Sequence, residues 1–350
     1  MADPFVLDLF LDNESVSTVS RIVTDVVITL KGDTEFYSQY ASTAKSISDV
    51  TNAKNNSVLS DVDFFEDTVQ KFTERQYRDT FKMSRETMKK LIDYLKEKCT
   101  ADLGRMIISF EKKVHLLLYI LGSTESFSNI GKVVNMHKSS LCILLREMCS
   151  LVTECRFDWI KWPSLDEQNT ITKRIKTFPN CVGFIDTCQF TMKTPGRNPV
   201  NAHLSSKPEY TIILQAVCDD TLKFTDIYVE DKIKHPDSVA FEGSPLCDEL
   251  ENIISCENHI LGGANYPLKV NLMTPFNRTS SVSKRMYNKA HAASRMYIRR
   301  AFGRLKAKFR RLKYLDVKKG RDGRIHHICG LRPAQFYYRP RAKRGGRSRQ

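Results

Sequence analysis

The sequence predicts an α + α/β protein, an N-terminal helical domain with a helix-turn-helix followed by an α/β domain that closes on a basic helix. Three observations carry this. Apolar residues recur at helical spacing through residues 64–157, β-branched and aromatic runs crowd between Val182 and Val229, and helical spacing returns from Arg278 to Arg311. With 350 residues and 41% hydrophobic content, the chain suits one large or two medium domains with a sizeable core.

Residues 1–60 are acidic, rich in Ser, Thr, Asn and Asp, and weakly patterned, so most of that region is expected to be disordered. Phe5-Val6-Leu7-Asp8-Leu9-Phe10-Leu11-Asp12 stands apart, because acids punctuate an apolar run there. That composition suits contact with a partner or docking on the chain's own domain. In the helical domain, 64–157, Ser84 caps a run with Met88, Leu91, Ile92 and Leu95 on one face. Further helices are expected over Phe110–Leu121, Ser126–Val134 and Lys138–Val152.

The last two form the helix-turn-helix, at about 126–152. Phe127, Ile130, Val133 and Val134 make one apolar face, Leu141, Leu144, Leu145 and Met148 the other, and Asn135-Met136-His137 the turn. Lys138, Ser139 and Ser140 open the second helix, where such a motif reaches base edges, and Arg146 lies where it meets phosphate. A plain helical hairpin packed on the next domain is the alternative. Strands are expected over Val182–Asp186, Phe190–Met192, Tyr210–Val217 and Phe224–Val229.

Charge is distributed very unevenly. Residues 1–70 hold 4 Lys/Arg against 12 Asp/Glu, net −8, and residues 278–350 hold 24 against 2, net +22, out of +15 for the chain. The basic end reads as a polyanion-binding surface, with DNA as the expected partner. Arg295, Arg299, Arg300, Arg304, Lys306, Lys308 and Arg310 form its cationic stripe, and Met286, Ala290, Ala293, Met296, Tyr297, Ala301, Leu305 and Phe309 the side expected on the sheet. The tail, 339–350, carries Arg339, Arg341, Lys343, Arg344 and Arg347, a nuclear localisation pattern.

The 10 cysteines include no C-x-x-C pair and no signal peptide precedes them, so reduced thiols in an intracellular protein are expected. Val114–Leu121, the longest apolar run, is too short to span a bilayer. His259 and His326-His327 have no ligand spacing and read as structural or surface residues.

Several segments in order carry a resemblance. They are Phe81-Lys82-Met83-Ser84, Cys181-Val182-Gly183-Phe184-Ile185-Asp186, Tyr210–Asp219, His235-Pro236-Asp237-Ser238, Gly243-Ser244-Pro245-Leu246, Leu261-Gly262-Gly263-Ala264-Asn265-Tyr266-Pro267, Leu272–Phe276 and Arg299-Arg300-Ala301-Phe302-Gly303-Arg304-Leu305-Lys306. Residues 64–338 resemble the PIF/Harbinger family of DDE transposases and its domesticated, nuclease-like relatives. The resemblance implies an RNase H-like domain over 178–338 that holds two Mg²⁺ or Mn²⁺ ions on three carboxylates for phosphodiester chemistry. It maps those carboxylates onto Asp186, at the end of a strand, and onto Gly263 and Arg299. Two of the three are therefore replaced, and Arg299 would repel a cation or pair with Asp186.

The expectation is a catalytically inactive, transposase-derived nuclear DNA- or chromatin-binding protein without a metal cofactor, working with a Myb/SANT-like or chromatin-associated protein. Two alternatives stand beside it. One is a nuclease whose site is rebuilt on Asp186 and Asp237, with Asp219 or Asp220 in reserve. The other is a protein adaptor that binds no DNA.

Overall fold

A computed structural model describes residues 64–99, 108–193, 210–230, 237–313 and 315–316. The N-terminal region 1–60, the tail 339–350, His235, Pro236, His326 and His327 lie outside those residues, as does the Arg146 side chain.

Helices come first: α1 (Glu74–Phe81), α2 (Arg85–Lys98), α3 (Phe110–Gly122), α4 (Phe127–Val133), α5 (Lys138–Glu154), α6 (Arg156–Trp159) and α7 (Leu165–Arg174). Their starts follow from small hydroxyl residues. Thr73, Ser84, Ser109, Ser126 and Ser164 each accept the third backbone N–H of the helix they precede, and Thr73 and Ser164 complete reciprocal caps with Gln76 and Glu167. Gly131 permits the tight turn between α4 and α5. A Cβ there would lie 2.3 Å from the Met136 carbonyl oxygen, and Asn135 takes φ 53° to turn the chain. Val133, expected on the apolar face, instead points outward at 44% exposure.

The sheet order is β3-β2-β1-β4-β5, with β1 (Cys181–Lys193), β2 (Tyr210–Cys218) and β3 (Phe224–Glu230) an antiparallel meander. The short strands β4 (His259–Leu261) and β5 (Leu272–Met273) continue it in parallel, and β6 (Leu315–Asp316) pairs with the far end of β1. Between β3 and β4 lie α8 (Asp237–Glu242) and α9 (Pro245–Ile253). The two strands expected over 182–186 and 190–192 are one, because β2 pairs without interruption from Phe184 to Met192.

The expected helix over 278–311 is two helices, α10 (Val282–Ser294) and α11 (Met296–Lys308), separated at Arg295. Ile298, Ala301, Phe302, Leu305 and Phe309 of α11 are buried, with Tyr297 stacked on Phe184 at 5.0 Å and Phe302 against Phe224 at 5.8 Å. On α10 only Ala290 of the expected inward side packs on the core. Tyr287 packs against Phe178 and His291 and Ser294 are buried, whereas Met286 and Ala293 are exposed, as is Met296 at the start of α11.

One hydrophobic cluster runs from Phe81, Leu116 and Leu141 through Phe184 and Leu214 to Ile298 and Phe309. Helical region and sheet thus share a core. Arg311 adds a polar tie, donating to the carbonyls of Ile120 and Glu125 while its guanidinium lies 5.1 Å over Phe127.

Candidate functional site

The site forms where β4 stops and β1 runs on. Leu261, the last residue of β4, pairs with Phe184, and Asp186 follows two residues later on β1. Asp186 is therefore interior to its own strand, opposite Ala216 of β2, and not at a strand end as the sequence suggested. It is nevertheless at the carboxyl end of the parallel pair, the edge where open α/β sheets bind ligands.

Four further elements converge there. Gly263 leaves β4, Asp237 opens α8, Arg295 sits between α10 and α11, and Arg299 lies in the first turn of α11. Arg295 Nη2 is 2.7 Å from Asp186 Oδ2, with both side chains largely buried at 13% and 16% exposure. A Cβ at Gly263 would meet the same guanidinium at 3.0 Å. The space that a side chain at 263 would enter is thus already taken by Arg295. Arg299 is exposed and affects Asp186 only through its charge, so Arg295, and not Arg299, is the aspartate's partner.

Each oxygen of the two carboxylates has a donor. Asp186 Oδ1 accepts from the Thr187 backbone N–H at 3.1 Å. Asp237 Oδ1 accepts from the Thr187 hydroxyl at 2.6 Å and its Oδ2 from the Asn265 amide at 3.3 Å. Behind them Tyr266 reaches Gln215 at 3.5 Å, and Gln215 donates to Ser244 at 3.1 Å. Burial pushes the Asp186 carboxyl up; the Arg295 charge and the Thr187 N–H pull it back, and the Asp237 charge pushes it further up. Arg295 Nε is buried without a hydrogen-bond partner among the described residues.

These residues do not fit a two-cation centre. Such a centre needs free carboxylate oxygens converging on the ions. Here each oxygen already has a donor, one position is glycine, and the Arg295 guanidinium is paired with Asp186.

Asp219 and Asp220 are not in reach to rebuild the site. Asp219 accepts from Thr221 and Lys223 in the β2–β3 turn, and Arg174 chelates Asp220 at 2.7 and 2.9 Å. Both lie just beyond Cys218, which pairs with Phe184.

The stripe expected to face phosphate is also smaller than the sequence suggested. Arg295 is committed to Asp186. Lys306 donates to the Gln189 carbonyl at 3.1 Å and lies 4.9 Å over Phe190, so it is docked on β1. Lys308 is half-buried. Arg299, Arg300, Arg304 and Arg310 remain exposed. On the helical pair Lys138 and Ser140 are exposed, while the Ser139 hydroxyl is held by His137 at 2.6 Å. Thr187, Asn265 and the role of Arg295 were missed from sequence. The spacing of Arg295 one helical turn before Arg299 was the available signal, and the helix break between them concealed it.

Residues 185–331 match the family model for the DDE superfamily endonuclease. Over 262 residues the chain is 26% identical to "Protein ALP1-like" of Arabidopsis thaliana, covering 67% of this chain and 64% of that protein, which is just under two thirds of the relative's length. It is 23% identical over 242 residues to "Putative nuclease HARBI1" of Bos taurus, and 22% identical to the protein of that name from Homo sapiens, each match covering 66% of this chain and 68% of the relative. No solved structure matches the chain. Residues 185–331 are thus similar to a DDE superfamily endonuclease domain, and about two thirds of the chain is similar to an ALP1-like protein and to HARBI1.

Proposed function

We propose that this is a catalytically inactive, transposase-derived protein that binds DNA or chromatin in the nucleus. The observation that carries the reading is the Arg295 guanidinium, 2.7 Å from Asp186 and in the space above Gly263. The sheet order, with its antiparallel meander and parallel extension, supports an RNase H-like domain. Such a domain cleaves phosphodiesters only with cations on its carboxylates, and a buried internal cation at the same place repels them.

DNA contact is assigned to two surfaces. Lys138 and Ser140 open α5 after the tight turn at Gly131 and are placed for base edges, as a helix-turn-helix presents them. Arg299, Arg300, Arg304 and Arg310 lie on the exposed side of α11 and its extension, where phosphate contact adds affinity without sequence choice. The basic tail directs the protein to the nucleus, and a Myb/SANT-like or chromatin-associated protein is its partner.

Two measurements on the full-length protein test this. Incubation with duplex DNA and Mg²⁺ or Mn²⁺ is expected to leave the DNA intact, and turnover that disappears in Asp186→Ala would overturn the inactive reading. Selection from a random duplex pool at near-physiological salt is expected to enrich a motif that Lys138→Ala/Ser140→Ala abolishes. Failure of the protein to retain any duplex would remove the DNA-binding reading and favour an adaptor.

A further inference from the structure

Helix α10 turns an apolar stripe to solvent. Val282, Met286 and Ala293 fall on one side at helical spacing, and the first two are 65% and 62% exposed. The opposite side, Tyr287, His291 and Ser294, makes the contact with the rest of the protein. Exposed Lys289 interrupts the stripe and exposed Arg285 flanks it. The stripe is about 16 Å long at about 1.5 Å per residue. A large exposed apolar row with basic residues beside it suits an acidic, apolar polypeptide.

The chain contains such a segment. Phe5, Leu7, Leu9, Phe10 and Leu11 are punctuated by Asp3, Asp8 and Asp12, in a region of net −8 (4 Lys/Arg against 12 Asp/Glu over residues 1–70) facing a C-terminal net of +22 (24 against 2 over 278–350). Reach is sufficient. Residues 13–63 join the segment to the first described helix turn, and that much chain spans up to roughly 170 Å. Tethering also raises its local concentration to about millimolar, well above that of a free competitor.

We propose that residues 5–12 dock on the Val282–Ala293 face of α10 in the same molecule. The apolar side chains cover Val282 and Met286, and Asp8 and Asp12 meet Arg285 and Lys289. Because Arg285 and Lys289 belong to the same basic C-terminal region as the exposed arginines of α11, the docked segment competes with polyanions for that basic region. This consequence rests on the DNA-binding reading above, and the docking itself does not.

The test uses the full chain with p-benzoylphenylalanine in place of Phe10, irradiated over a range of protein concentrations. The expected result is an adduct within one molecule, mapped to 282–293 and independent of concentration. Adducts only between two copies, adducts elsewhere, or none would each overturn the proposal. A second measurement compares duplex affinity at low salt in the full chain and in Val282→Ser/Met286→Ser, which changes no charge. Binding should tighten about tenfold if the docked form is nine-tenths populated; unchanged affinity would overturn competition. If neither protein binds duplex, the DNA reading fails while the adduct map still decides docking.

Discussion

Two largely buried aspartates, Asp186 on β1 and Asp219 in the β2–β3 turn, meet the same problem in opposite ways. Burial pushes both carboxyls up. Asp219 is compensated within five residues: the Thr221 N–H at 2.8 Å, the Thr221 hydroxyl at 2.7 Å and the Lys223 N–H at 3.0 Å all donate to one oxygen. Asp186 gets one local N–H and then depends on a guanidinium more than a hundred residues away in sequence. The first solution is a turn that an aspartate builds for itself. The second requires the whole fold to deliver its partner, so it binds α10 and α11 to the sheet at a position where a charge left alone is very costly.

The sharpest way to break this comparison is a double-mutant cycle. Arg295→Met and Asp186→Leu are each expected to cost about 3–5 kcal/mol in denaturant unfolding, because each leaves a buried charge unpaired. The double variant should return to within about 1 kcal/mol of the parent. Simple addition of the single effects would mean that the two side chains are not coupled, and the contrast with Asp219 would disappear.

Next in size is Asp219→Ala. Losing three hydrogen bonds at a buried turn should cost about 2–3 kcal/mol. Arg174→Ala, which removes the partly exposed partner of Asp220 and a longer 3.8 Å ion pair to Asp219, should cost less than about 1 kcal/mol. Equal effects would show that the turn is held by the ion pair and not by its own aspartate.

A group with no compensation at all gives an effect that appears only in acid. His259 Nε2 is buried without a hydrogen-bond partner among the described residues, and burial, with His291 nearby, pushes its imidazole down to about 4. The native state then refuses a proton that the unfolded chain accepts below its ordinary 6.5. Stability is flat above pH 6.5 on this account and falls as pH drops from 6.5 toward 4. The melting temperature of the parent should fall over that window by a few degrees more than that of His259→Gln. Parallel curves would show that His259 does not titrate there.

The same contrast explains what could be read from sequence. The hydroxyl cap at Ser84 and the Asn135-Met136-His137 turn after α4 are local chemistry, and their residues announce them. The order of helices, strands and helices was legible for the same reason. The continuity of β1 was not, because Thr187, Cys188 and Gln189 look like a break until β2 is known to pair with all of them. Nor was the division at Arg295, where no proline or glycine marks the chain. Periodicity correctly made α10 a helix and put Ala290 inward, but aromatic packing by Tyr287 and burial of His291 turned Met286 and Ala293 outward. The partner of Asp186 was assigned one turn too late, because nothing in the sequence marks the helix junction at Arg295.

Arg295 also bears on how this lineage could change. Restoring an acid at position 263 by one substitution would place it against the guanidinium, 3.0 Å from the new Cβ, and make a second ion pair in place of a cation site. Replacing Arg295 first would strand Asp186. Each single step is therefore either harmful or diverted, and a return to three free carboxylates needs changes at 263, 295 and 299 together. In evolutionary terms one arginine acts as a ratchet: the chain can drift in sequence at little cost, but the way back is closed to it one mutation at a time.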